Sequence, residues 1–176
     1  MYDRGGGKVL KTGTMTTEVG NIWYAIDESG VKAISAPGRG RDDWQQVLRR
    51  SGLDLGSAAE DESDCLGVRR QLAEYMRGER QTFSLPLSFS GTPFQLSVWK
   101  ALQEIPYGEV RSYAAIAREI GSPQAARAVG QANNRNPLAI VIPCHRVVAS
   151  DSTLGGYAGG LASKEFLLRL EQRWRG

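Results

Sequence analysis

The stretch SYAAIAREIGSPQAARAVGQANN, residues 112–134, carries the clearest fold signal in the chain. Ser112 is a helix N-cap residue, and Tyr113, Ile116, Ala117 and Ile120 follow at the spacing of one helical face. Gly121 stops that helix, because glycine takes the left-handed conformation of a helix end at little cost. Ser122-Pro123 restarts at once, and the next helix turns Ala125, Ala128, Val129 and Ala132 inward. Two short helices across a Gly-Ser-Pro turn make a helix-turn-helix candidate.

Outward from this pair the second half of the chain stays mainly helical. Thr92-Pro93-Phe94-Gln95 supplies an N-cap, a proline at the first helical position and a glutamine three residues past the cap. Phe94, Val98, Ala101 and Leu102 form the apolar stripe of the helix that starts there. Ile105-Pro106-Tyr107-Gly108 reads as a loop, 133–137 as a turn and 138–142 as a short buried extended run. Residues 155–160 hold four glycines in six positions, a loop that approaches something closely. Phe166, Leu167, Leu170 and Trp174 drive a terminal helix.

The first half reads as small α+β. Residues 9–17 form a strand or a ragged edge, and 21–26 and 31–35 are short β-type runs around a hairpin signal at Glu28-Ser29-Gly30. Residues 42–50 suggest a short helix with Trp44, Val47 and Leu48 on one side, and 52–63 a linker or surface loop. Cys65, Val68, Leu72, Tyr75 and Met76 fall on one helical stripe, which makes Cys65 a core residue, and Gly78 ends that helix. Phe83, Leu85, Leu87 and Phe89 alternate as a strand, with Pro86 arguing for an edge. The division this suggests is a support domain at 1–90 and a second domain at 91–176.

Composition narrows the function classes. The chain has 176 residues, 41% hydrophobic and 23% charged, which is ordinary for a globular protein. Residues 1–90 carry 12 basic and 13 acidic side chains, and residues 91–176 carry 10 and 6. A polyanionic partner is therefore permitted for the second half, as is a nonspecific basic surface. Two cysteines make no disulfide scaffold, and no apolar run approaches membrane length. An intracellular, reducing, cytoplasmic setting is expected. His145 is the single histidine, which excludes a metal site built mainly from imidazoles.

Two features carry chemistry, each with a plain alternative. Gln124, Arg127, Gln131 and Asn134 recur on one face of the second helix of the pair, and small residues such as Ala126 keep that helix slim. Such a helix can enter a DNA groove; a solvated face on a packing helix has the same pattern. Cys144 lies in Ile140-Val141-Ile142-Pro143-Cys144-His145-Arg146-Val147-Val148, a segment that crosses the core. A buried cysteine is commonly inert, but two cationic residue types beside it in an apolar run are expensive unless used. A nearby cation or imidazole turns a thiol into a nucleophile. Reactive thiol, structural cysteine and metal ligand all stay open on these grounds.

Pro143-Cys144-His145-Arg146-Val147-Val148 resembles the active-site motif of the O6-alkylguanine-DNA alkyltransferases. The resemblance runs from about Gly91 to Glu171, with Ile105-Pro106-Tyr107-Gly108-Glu109, Ser112-Tyr113, Ala125-Ala126-Arg127-Ala128-Val129-Gly130, Asn136-Pro137, Gly155-Gly156-Tyr157 and Gly159-Gly160-Leu161 in the family's order. It implies an α+β protein: a small ribonuclease H-like N-terminal domain, then a mainly helical domain with a winged-helix-like helix-turn-helix. It implies that Cys144 accepts the alkyl group, that His145 works on it through a water and that Glu171 orients the histidine. Asn136 bonds in the cysteine's neighbourhood, and Tyr113 donates to guanine N3. Arg127 fills the space left by a flipped nucleotide, with Gln124, Ala126 and Gln131 beside it in the minor groove. Tyr157, Ala158, Val147 and Trp99 shape the substrate pocket.

The resemblance further implies a monomer that acts once, on double-stranded DNA bearing O6-alkylguanine and also O4-alkylthymine. It implies no cofactor and no obligate protein partner. The family's zinc-bearing form needs N-terminal cysteines and histidines that this chain lacks, so no metal is expected. The residue types suit the chemistry: a soft thiolate displaces a saturated carbon, and nothing in the site can hydrolyse the thioether.

Overall fold

The structure is a computed structural model, and it describes residues 9–54, 56 and 58–175. Strands β1 (Lys11–Thr17), β2 (Gly20–Asp27) and β3 (Gly30–Ile34) form an antiparallel meander. The β2–β3 hairpin turns at Glu28-Ser29, where Asp27 Oδ1 accepts from the Ser29 amide at 2.7 Å. Gly30 sits at φ +132°, and a Cβ there would strike the Pro86 carbonyl, so the turn needs glycine twice over. Helix α1 (Arg41–Arg50) follows, and a two-residue β4 (Ala59–Glu60) then pairs parallel with β1. The sheet order is β3-β2-β1-β4. The stretch read as linker thus contains a strand.

Alternation along β2 divides the N-terminal core in two. Ile22, Tyr24 and Ile26 face helix α2 (Val68–Met76), packing on Val68, Leu72 and Tyr75. Ala25 and Ala33 point the other way, onto Trp44 and Leu48 of α1. Cys65 departs from the expected stripe. It precedes α2, is exposed, and accepts a 3.2 Å hydrogen bond from Lys11 Nζ. The helix begins only at Val68, after Gly67 turns the chain at φ +70°, so the helical spacing did not extend to position 65.

The open edge of β3 is what joins the two halves. Val31 N–H donates to the Pro86 carbonyl at 2.7 Å, and Ser88 N–H donates to Val31 O at 2.9 Å. Residues 83–89 therefore lie extended along this edge but make only an isolated bridge at Leu87. Pro86 is tolerated because an edge position asks for no N–H from it. Further along, Ile34 N–H donates to Pro137 O and Ala139 N–H donates to Ile34 O. The run before Cys144 is thus hung from the sheet through one bridge at Leu138 rather than built as a strand.

The second half holds α3 (Pro93–Gln103), β5 (Arg111–Ser112), α4 (Tyr113–Glu119) and α5 (Ala126–Asn134). A 3-10 turn (Cys144–Arg146), β6 (Val147–Val148) parallel to β5, and α6 (Leu161–Arg173) complete it. Thr92 and Gln95 make a reciprocal capping box, and Ser112 Oγ accepts from Ala115 N–H. On α5 the inward residues are Val129, Ala132 and Asn133; Ala128 is exposed, contrary to the sequence expectation. Small residues surround position 128, so its size gave no phase information. One apolar cluster runs from Ile22 of β2 to Leu167 of α6. Among the described residues no helix is long and apolar enough to cross a membrane.

Replacing Thr92 by Ala removes the acceptor for the Gln95 amide and should lower unfolding free energy by about 1 kcal/mol. Thr92→Ser should be near neutral. Urea denaturation of the three proteins side by side checks this.

Candidate active site

Cys144 opens the 3-10 turn directly after Pro143 and is only 4% exposed. Its segment is stapled from several sides. Asn133 Nδ2 donates to Cys144 O at 3.2 Å, and Asn136 Nδ2 donates to Ile142 O at 2.8 Å. Asn136 Oδ1 accepts from Leu138 N–H at 2.9 Å. Inside this frame Ile140 is held at φ +72°, a conformation that β-branched residues avoid. The strain belongs to the tight reversal that brings the chain into the cysteine.

One residue on, His145 is fully buried and its Nε2 lies 2.9 Å from Glu171 Oε1. Glu171 is also fully buried, and it is the hub of the site. Arg146 donates to it through Nε at 2.9 Å and Nη2 at 2.8 Å. Tyr75 Oη donates to Oε1 at 2.7 Å, and Gly108 N–H donates to Oε2 at 3.0 Å. The guanidinium stacks 5.6 Å from the Tyr107 ring centre and also donates to Ile105 O at 2.6 Å. Burial works to raise the Glu171 carboxyl, but the bonds from His145 and Arg146 overcome it and hold the group well below the usual carboxylate range.

An ionised Glu171 can only accept, so His145 carries its proton on Nε2 and leaves Nδ1 with a free lone pair. Nδ1 is buried and has no protein partner among the described residues. Burial lowers the His145 pKa, partly offset by Glu171, so the imidazole is neutral near pH 7. Burial likewise pushes the Cys144 thiol up, against a hydrogen bond from Asn136 and the charges of Lys164 and Arg39. The resting site is a neutral thiol beside a neutral base.

Two clefts meet at Cys144. One, of about 610 Å³, is lined by Tyr113, Ala126, Arg127, Gln131, Tyr157, Ala158 and other residues. Here the structure brings together most of the residues expected to touch substrate or DNA. Tyr113 Oη donates to Gly156 O at 3.4 Å, which ties α4 to the glycine loop. Arg127 and Gln131 are exposed on α5, whereas Gln124 lies exposed in the turn before it and does not line this cleft. The other cleft, of about 520 Å³, runs toward the N-terminal half past Trp99, Asn136, Ala139, Ala158 and Arg39. Trp99 is buried, with Nε1 donating to Ala132 O at 2.9 Å. Val147 lies outside both clefts with its side chain in the core; its carbonyl accepts from Lys164 Nζ.

Sequence reasoning missed four participants. Tyr75 reads as one more apolar position of α2, Lys164 as a polar helix residue and Arg39 as a loop charge. Arg146 was the one with a signal: a cation in an apolar run demands a partner, and Glu171 is it. Among the described residues no group of three His, Cys, Asp or Glu side chains could hold a metal ion.

The family described as 6-O-methylguanine DNA methyltransferase, DNA binding domain, matches residues 93–173. A constitutive methylated-DNA–protein-cysteine methyltransferase of Bacillus subtilis is 46% identical over 90% of this chain and 93% of its own length. The chain belongs to the methylated-DNA–protein-cysteine methyltransferase family. A second methyltransferase of that family, from Methanosarcina acetivorans, is 46% identical over 87% of this chain and 92% of its own. Among solved methyltransferases, that of Mycobacterium tuberculosis in complex with DNA superposes with a TM-score of 0.80 at 38% identity. It covers 93% of this chain and 94% of its own. The methyltransferase of Pyrococcus kodakaraensis superposes at 0.72 with 29% identity, covering 93% of this chain and 99% of its own.

Glu171→Gln leaves the Arg146 guanidinium buried without a carboxylate and should destabilise the protein by about 3–5 kcal/mol. The pH dependence has a fixed sign. The folded pKa of Glu171 lies below its unfolded value, so its contribution is full above that value and is lost as pH falls through the carboxylate range. Stability of the wild type should therefore drop more steeply on acidification than that of Glu171→Gln, as read by denaturation midpoints across an acid series.

Proposed function

We propose that the protein repairs alkylated DNA by moving the alkyl group from O6 of guanine, and from O4 of thymine, to its own Cys144, once per molecule. The observation that carries this is a buried thiol beside an imidazole locked by a buried carboxylate, with an open cleft under a slim polar helix. His145 Nδ1 takes the thiol proton through a water. The thiolate sulfur bonds the alkyl carbon, the carbon–O6 bond breaks, and the departing guanine takes a proton. Tyr113 donates to guanine N3 and offsets the charge developing there. Asn136 holds the hinge before the cysteine. A thioether forms and no water attacks it, so the protein is consumed.

The target base lies inside a duplex and has to be flipped out. α5 enters the minor groove, Arg127 occupies the vacated stack, and Gln124, Ala126 and Gln131 lie along the strand. Minor-groove edges read sequence poorly, which suits repair at any position. Tyr157 and Ala158 close one side of the base pocket, with Val147 and Trp99 behind it. The protein works as a cytoplasmic monomer on double-stranded DNA and needs no cofactor, metal or protein partner.

The finer architecture follows the same reading. A three-stranded antiparallel meander with a fourth strand parallel to β1 supports a ribonuclease H-like unit at 1–90. The α4–α5 pair with the small β5–β6 sheet supports a winged-helix-like unit at 91–176, which binds DNA and accepts the alkyl group.

Incubation with a duplex carrying O6-methylguanine should add the mass of one CH2 to the protein, on the peptide bearing Cys144, and stop at one equivalent. Cys144→Ser should abolish the gain and Cys65→Ser should leave it; a gain that survives in Cys144→Ser would show a different acceptor. Arg127→Ala should react normally with free O6-benzylguanine but slow repair in duplex DNA, because unstacking costs a few kcal/mol and the filler is gone. An unchanged ratio of duplex to free-base rate would leave Arg127 a surface charge.

A further inference from the structure

Among the described residues Lys164 and Arg39 act on Cys144, and Arg146 stands two positions along the chain; of the three, Arg146 alone has an ion-paired carboxylate. Arg146 is matched by Glu171. Lys164, fully buried on α6, donates to the Val147 carbonyl at 2.5 Å and to the Leu154 carbonyl, and makes no ion pair among the described residues. Arg39, half-buried in the segment between β3 and α1, donates through Nε to the Ala158 carbonyl at 3.1 Å and makes none either. Withdrawing a cation from water without a counter-charge is costly, so two such cations around one ionisable thiol call for an explanation.

The backbone around Arg39 is built to meet the glycine loop. A Cβ on Gly38 would come within 2.6 Å of Ser163 Oγ and 3.0 Å of Gly159 O. A Cβ on Gly159 would strike the Pro37 carbonyl. The two segments are therefore in backbone contact, and Arg39 closes that contact on the residue next to Tyr157. Arg39 and Cys144 line the same cleft of about 520 Å³.

We infer that Arg39 is a positioning residue of the N-terminal half, which fixes the 155–160 loop at Ala158 and supplies a counter-charge that favours the Cys144 thiolate. The inference rests on Cys144 being the acceptor. It gives the N-terminal half a part in the chemistry, beyond support. Arg146 is already neutralised by Glu171 and adds little positive charge to the site; Lys164 and Arg39 supply it. The groups around the thiol are Arg39 from the N-terminal half, Lys164 from α6, Asn136 after α5, Tyr113 from α4, Tyr157 from the loop and the adjacent His145, which is the neutral base of the proposed transfer. Burial lowers Lys164 to about 8, so above that pH its help fades and Arg39 is left as the permanent charge. Burial also lowers the Arg39 pKa, with Asp43 acting against it, Arg50 with it and Cys144 against it. The phenols of Tyr113 and Tyr157 are both pushed up, by burial first and by Cys144 second, so they stay neutral and leave the two cations as the charges near sulfur.

The test is the rate of alkylation of Cys144 by free O6-benzylguanine across a pH series, which needs no duplex and no flipping. Arg39→Gln should shift the pH midpoint upward by about one unit and slow the reaction about tenfold below it. Arg39→Lys keeps the charge and should restore the midpoint. Arg50→Gln, an exposed cation on the rim of the same cleft, should leave the profile unchanged. Arg39→Met, which keeps the packed stem, replaces the Gln variant if that one does not fold. A midpoint equal to the wild type in the neutral variant would overturn the inference, even with a slower rate, and so would a shift that lysine does not reverse. Loss confined to duplex substrate would also overturn it, and make Arg39 a DNA contact. A wild type that gains no alkyl mass on Cys144 is a separate failure, that of the acceptor reading itself.

Discussion

A carboxylate with no exposure to water, Glu171, holds four parts of the chain in one place. It anchors α2 through Tyr75, the loop before β5 through Gly108, and the 3-10 turn through His145 and Arg146, while sitting on α6 itself. Burying one charge alone would cost several kcal/mol. Here each oxygen accepts several donors, and the bidentate guanidinium carries the opposite charge. The N-terminal and C-terminal halves meet around this group, and the larger apolar cluster excludes water from it.

The chemistry follows from how that charge is shared. Arg146 neutralises Glu171, so the carboxylate fixes a tautomer more than it strengthens a base. Burial keeps the thiol neutral, and in the proposed transfer it ionises when its proton passes to His145. A stored thiolate would be exposed to oxidants; a thiol that ionises on demand is kept for its one use. The strain at Ile140 and the staples of Asn133 and Asn136 keep sulfur where the two clefts meet.

The local signals in the sequence were strong where a cap or a turn has one physical solution. Thr92 with Gln95, and Ser112, mark helix starts and Gly121 marks a helix end, and the hairpin at Glu28-Ser29 was legible for the same reason. Ser122-Pro123 did not start α5, which begins three residues later, after a turn. The phase of α5 was not, because Ala125, Ala126 and Ala128 are alike in size. Cys65 misled because a helical spacing continued on paper past the helix's real start. The Cys144 segment announced itself by cations in an apolar run. The roles of Tyr75, Lys164 and Arg39 were hidden, since each acts across more than ten residues of sequence and none carries a local pattern. Glu171, which on its helix could equally have been a solubilising end charge, is identified in space only by the four groups that converge on it.

The chain's single histidine makes the central claim directly measurable. Selective 15N labelling of histidine gives signals from His145 alone, and the two ring nitrogens report their protonation by chemical shift. The account predicts a neutral imidazole near pH 7 with the proton on Nε2, held to Glu171, and a bare lone pair on Nδ1. A proton on Nδ1, or an imidazolium protonated at both nitrogens at that pH, would contradict it, because the thiol would then have no base to receive its proton.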